Sequence, residues 1–123
     1  MSDESLPVLL NTVQTRLISA QRQLGIVRAQ VQAKHREAKL HELTYEQLKP
    51  LGDSTRMYKA VGKMFMQQDF GDALAAEQRK LHSTNEDIDA LKKKETFLEK
   101  ETGVAQSHLN DLVHSIEKAQ LAS

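Results

Sequence analysis

Arg56-Met-Tyr-Lys-Ala-Val-Gly-Lys-Met-Phe-Met-Gln67 decides how the rest of this 123-residue chain is read. It holds Tyr58 and Phe65 in a chain with only three Phe and two Tyr. The residues do not follow a helical period. Met57, Lys59 and Val61 alternate with Tyr58 and Ala60; Gly62 interrupts; Met64 and Met66 then alternate with Phe65 and Gln67. Two short alternating runs around a glycine predict a β-hairpin. A lone two-stranded hairpin is marginal in water and has two open edges. No second sheet is legible in this chain to cover them, so the hairpin is expected to complete itself with strands from other chains.

On both sides the period changes from two to three and a half. After polar Ser2 to Ser5, with Ser5 as a candidate helix cap and Pro7 in the first turn, a seam runs through Leu10, Val13, Leu17, Ala20, Leu24, Val27, Val31, Lys34, Ala38, His41, Tyr45 and Leu48. Its alternating steps of three and four are the a and d positions of a coiled coil. Thr44-Tyr-Glu-Gln47 has capping-box spacing, so two readings stand at Leu43: a break followed by a short second helix, or one continuous helix. Pro50 and then Gly52-Asp-Ser-Thr55 end it in either case. After the hairpin, Asp69 is a candidate cap with Asp72 in the first turn. A second seam follows through Leu74, Glu77, Leu81, Thr84, Ile88, Leu91, Glu95, Leu98, Thr102, Ala105, Leu109, Leu112, Ile116 and Ala119.

Two helices joined by a compact insert run antiparallel. Folding about the hairpin places Leu48 near Leu74, Val31 near Leu91, Leu24 near Leu98 and Leu10 near Leu112. Each helix is expected to be roughly 60–75 Å long. Lys34, Glu77 and Glu95 are charged seam positions; charged a and d residues can fix register, but the favoured expectation is that they snorkel out of a loosely packed seam. The fold class is therefore mainly α: a long antiparallel two-helix coiled coil joined by a single β-hairpin. One domain is expected, with residues 1–49 as the first helix, 50–68 as linker and hairpin, and 69–123 as the second helix.

Composition narrows the function. Aromatic residues are 4% and charged residues 28%, which suits helices burying a narrow seam. The formal net charge is zero, against the basic excess usual for nucleic-acid binding. Cysteine is absent, which removes disulfide and thiol chemistry. The opening Met1-Ser-Asp-Glu-Ser5 lacks the basic and apolar regions of a signal peptide, and no apolar run is long enough to span a bilayer. A cytosolic location is expected, with the nucleus also open.

Chemistry is not legible. His35 and His41, like His108 and His114, stand six apart, unlike the i, i+4 spacing of helical zinc ligands. His41 could approach His82 across the helices, but solvated or seam histidines explain both. Ala60-Val-Gly-Lys63 lacks the further glycines and the Ser/Thr of a phosphate-binding loop. Lys92-Lys-Lys94, beside Glu86, Asp87, Asp89 and Glu95, reads as a solvated face. No catalytic set, metal site or cofactor is expected. The free ends of the helices are more informative: Val8, Leu9 and Ile18, and Val113 and Leu121, are apolar residues beyond those the seam needs. Exposed apolar groups there would bind hydrophobic segments without demanding a sequence.

Met57-Tyr-Lys-Ala-Val-Gly-Lys-Met-Phe65, with its Met-Tyr, Val-Gly and Met-Phe pairs, resembles the hairpin of a β-type prefoldin subunit. His41-Glu-Leu-Thr44 and Lys93-Lys-Glu-Thr-Phe-Leu-Glu99 extend the resemblance over nearly the whole chain. The resemblance implies a cytosolic, ATP-independent hetero-hexamer of two α-type and four β-type subunits. Their hairpins would form a double β-barrel platform, so that this hairpin completes an intersubunit β-barrel. Coiled-coil tips would hold unfolded or nascent clients such as actin and tubulin and pass them to the cytosolic group II chaperonin. It implies assembly roles for Met57, Tyr58, Ala60, Val61, Gly62, Met64, Phe65 and Met66, and a client-binding tip at Leu6, Val8, Leu9, Val13, Leu109, Leu112, Val113 and Ile116. The implied partners are the other prefoldin subunits, unfolded proteins and the chaperonin, with no nucleic acid and no membrane. The zero net charge departs from the acidic character such a subunit would be expected to have. The competing reading is a coiled-coil scaffold or tethering adaptor of a multiprotein complex; it accounts for the heptads and gives the hairpin no purpose.

Overall fold

A computed structural model describes residues 5–122; the acidic opening, residues 1–4, and Ser123 lie outside the described residues. The order of elements is α1 (Ser5–Leu48), a single 3-10 turn (Lys49–Leu51), β1 (Met57–Val61), β2 (Met64–Gln68) and α2 (Phe70–Ala122). Two long helices joined by a two-stranded antiparallel hairpin are the fold anticipated from the change of period.

The helix α1 passes through Leu43 and Thr44 without a break. Thr44 does not cap a new helix. Its Oγ1 donates to the carbonyl of Leu40, 2.8 Å away, one turn back in the same helix. The helix stops where Pro50 cannot supply an N–H. The chain then takes the 3-10 turn and reverses at Gly52, whose φ of 79° favours glycine. Thr55 ties this corner down: its N–H bonds the Gly52 carbonyl and its Oγ1 the Leu51 carbonyl. Asp69 immediately precedes α2, and its carbonyl accepts the N–H of Ala73 at 2.9 Å. Asp72 lies in the first turn, where a negative charge suits the helix dipole.

The chain divides into two compact units, one of residues up to Gln30 and from Leu91, the other Val31–Ala90. In the first unit, Val13, Leu17, Ala20, Leu24 and Val27 of α1 and Leu98 and Ala105 of α2 are buried. Arg28 reaches across to Glu99, with Nη2 3.1 Å from Oε1. In the second unit, Val31, Ala38, Ala73, Thr84 and Ile88 are buried. There Lys34–Asp87, His41–Glu77 and Tyr45–Gln78 join the helices, the contact earliest on α1 meeting the residue latest on α2, as in an antiparallel pair. Fully burying a valine or leucine side chain stabilises by about 1.5–3 kcal/mol over leaving it exposed, so the seam is the main source of helix stability. Every a and d position of both seams is buried or half-buried except Ala119, which is exposed.

In the hairpin, Met57 pairs with Gln68, Tyr58 with Gln67, Lys59 with Met66, Ala60 with Phe65 and Val61 with Met64. Gly62 and Lys63 form the two-residue turn. Gly62 has φ of 62° and Lys63 does not have positive φ, the arrangement of a II′ turn with glycine in its first central position.

Candidate functional site

Pairing across the hairpin sorts its side chains onto two faces. Met57, Lys59, Val61, Met64, Met66 and Gln68 share one face; Tyr58, Ala60, Phe65 and Gln67 share the other. Both faces carry large apolar side chains and both are open. Phe65 is 74% exposed, Met64 67% and Tyr58 59%; Ala60, Val61, Gly62 and Met66 are exposed as well, and only Met57 and Gln68 are half-buried. Each strand has one partner, so each leaves one edge of backbone donors and acceptors without a strand beside it among the described residues. A hydrophobic edge of this kind is a template for further strands.

The helix ends anticipated as a binding tip divide by burial. Val8, Leu9 and Val113 are exposed, while Leu6, Leu109, Leu112 and Ile116 are half-buried. Val13 is closed within the seam, as its d position dictates, and offers almost no surface of its own. Leu9, Val13, His108, Asp111 and Leu112 line a shallow hollow of about 290 Å³. Beyond the eight, Ile18 and Leu121 are exposed.

The second unit contains a polar layer that the seam pattern did not resolve. His41 Nδ1 lies 2.9 Å from Glu77 Oε2, and both side chains are largely enclosed. Lys34 Nζ sits 3.3 Å from Glu37 and 3.4 Å from Asp87. Hydrogen bonding to Glu37, and then to Asp87, holds the Lys34 ammonium above its ordinary range. Of the charged seam residues, Lys34 reaches out to the exposed carboxylates of Glu37 and Asp87, as snorkelling predicts, while Glu77 departs from that expectation and turns inward to His41. Nor does His41 approach His82, which pairs with Glu86 one turn along its own helix. The signal was present as polar seam positions on both helices; heptad position alone does not say which of them meet.

Replacing either His41 or Glu77 by alanine removes the shortest contact of the layer, leaving His41 only Glu37 at 3.8 Å or Glu77 only Lys80 at 3.5 Å, and is expected to cost about 1 kcal/mol. Replacing both by leucine fills the layer with apolar volume and is expected to raise the melting temperature, at some loss of register specificity. Circular-dichroism melts of the two singles and the double check this; a double no more stable than the singles would show that the pair itself is net stabilising.

Among the described residues no group of three or more His, Cys, Asp or Glu is placed to hold a metal ion, and none of the helices is long and apolar enough to cross a membrane. Lys92, Lys93 and Lys94 are exposed. What the molecule presents is apolar surface on a hairpin and at helix ends, which is equipment for binding polypeptide.

The family model described as prefoldin subunit matches residues 11–116. A probable prefoldin subunit 1 of Schizosaccharomyces pombe is 33% identical over 108 residues, covering 88% of this chain and 96% of that protein. Prefoldin subunit 1 of Arabidopsis thaliana is 26% identical, covering 92% and 88%, and that of Homo sapiens 25%, covering 90% and 91%. In fold, the chain is similar to the crystal structure of the prefoldin beta subunit from Thermococcus strain KS-1, with a TM-score of 0.78, 21% identity, and coverage of 84% of this chain and 90% of that one. The chain belongs to the prefoldin family. It is a co-chaperone subunit of a kind that assembles with other prefoldin subunits, and the sequence relatives named above are subunit 1 chains.

Proposed function

We propose that this chain is a β-type subunit of a cytoplasmic hetero-hexamer, built with two α-type and three other β-type subunits, which holds unfolded or nascent proteins of the actin and tubulin class. Its helix ends grip the client, and the assembly delivers it to the cytosolic group II chaperonin. Neither ATP nor any catalytic step of its own is needed, because apolar contact is non-directional and reversible.

The observation that carries this reading is the hairpin, with large apolar side chains exposed on both faces and two open edges. Such a sheet is unstable alone and is completed when neighbours add strands to form a barrel. Met57, Tyr58, Ala60, Val61, Gly62, Met64, Phe65 and Met66 serve that closure. Val8, Leu9 and Val113, flanked by Leu6, Leu109, Leu112 and Ile116, serve client contact. Val13 supports them from within the seam.

Co-expression with the other prefoldin subunits is expected to give a hexamer by native mass spectrometry. Near stoichiometric amounts, without ATP, it should suppress the light scattering of a chemically denatured client on dilution. A coiled-coil scaffold would leave the scattering unchanged, and a stable monomer indifferent to those subunits would refute the proposal.

A further inference from the structure

We infer that the assembly surface of this chain continues from the hairpin onto the outer side of the last turns of α1, where Leu40, Leu43 and Leu51 dock a neighbouring prefoldin subunit. The inference rests on the hexamer proposed above.

Leu40 and Leu43 stand two and five places beyond the seam residue Ala38, at the outward c and f positions. The packing of α1 on α2 makes no use of either. They are 62% and 48% exposed, and Leu51, in the turn that follows, is 48% exposed. Residues three apart on a helix are surface neighbours, so Leu40 and Leu43 form one patch. The exposed residues around it are polar: Arg36, Lys39, Glu42 and Gln47. A single exposed leucine needs no explanation. Two adjoining ones, at positions where a two-helix coil is normally polar, with a third just beyond the helix end, mark a contact.

Continuity identifies the occupant. The patch and the hairpin belong to the same compact unit, and the chain leaves α1 at Leu48 and enters β1 at Met57. A subunit that adds a strand to β1 or β2 is thereby held beside these leucines at high effective concentration. An aliphatic surface on a helix, without aromatic groups, suits packing against another helix. The helix that necessarily accompanies a neighbour's hairpin is the one that enters or leaves it. A client would have to compete with that tethered neighbour for the same ground.

The test places a photo-crosslinking amino acid at position 40 in the assembled complex, and in parallel makes Leu40→Glu with Leu43→Glu. Crosslinks are expected to another prefoldin subunit. The double variant, helical by circular dichroism when alone, is expected to need about tenfold more protein or greater for half-assembly. Leu40→Met with Leu43→Met should assemble normally. Absence of intersubunit crosslinks overturns the inference, as does normal assembly of the glutamate variant upon dilution. So does normal assembly combined with weaker suppression of client aggregation, which would assign the patch to client. Phe65→Asp run alongside separates the two levels. If it blocks assembly while the leucine variant does not, only this inference fails. If neither matters, the hexamer proposal fails with it.

Discussion

Phe65→Asp is expected to abolish entry of this chain into the hexamer while leaving its helices intact. Phe65 is the most exposed large apolar side chain of the hairpin and lies opposite Ala60, on the face it shares with Tyr58 and Gln67. Among the described residues nothing covers it, so its burial must come from neighbours. Filling a barrel interior with this ring would stabilise by about 1.5–3 kcal/mol. An aspartate in its place forfeits that and adds the effective cost of desolvating an unpaired carboxylate, several kcal/mol after relaxation. The combined loss of about 5 kcal/mol or more is over a thousandfold in an association constant. Native mass spectrometry of the co-expressed subunits should find the variant outside the complex, and its circular dichroism should match the parent chain because Phe65 is not part of the seam. Phe65→Leu should assemble with a modest loss. A normal hexamer containing the aspartate would show that this face of the hairpin remains wet, and would remove the main support for closure by neighbours.

The two faces of the hairpin were legible in the sequence, because period-two alternation around Gly62 is enough to separate them. The seam was legible for the same kind of reason. A spacing of three and four fixes which side of a helix is covered, and Val13, Leu17, Ala20, Leu24, Val27 and Val31 are buried accordingly. What heptads leave undetermined is the partner across the seam. Lys34, His41 and Glu77 each look like isolated faults in one helix. Only the axial offset and rotation of the two helices bring His41 onto Glu77 and Lys34 onto Asp87. Thr44 shows a different limit. Its hydroxyl suits either a cap or the carbonyl one turn back, and in the continuous helix it takes the carbonyl of Leu40. Leu40 and Leu43 carry no heptad signal, because outward positions fall outside the seam.

Substituting serine for Val8, Leu9 and Val113 together is expected to weaken client holding without disturbing assembly. These are the exposed members of the eight residues expected to form the client-binding tip, and none is a seam residue, so melting should shift little. Apolar surface contributes about 25 cal/mol per Å² removed from water. Three such side chains, partly covered by a client, then supply about 2–4 kcal/mol per helix pair. The loss should be smaller in the hexamer, because a client held at several points keeps the contacts of the other subunits. The amount of complex needed to suppress scattering of a denatured client is accordingly expected to rise several-fold. Val13→Ser is the informative contrast. Val13 is only 7% exposed, so its truncation falls on the seam and should lower the melting temperature, with client holding affected only as far as the helix ends loosen. If the triple variant held client as well as the parent, and Val13→Ser did not, the grip would lie in the opened seam and not on the outer surface of the helix ends.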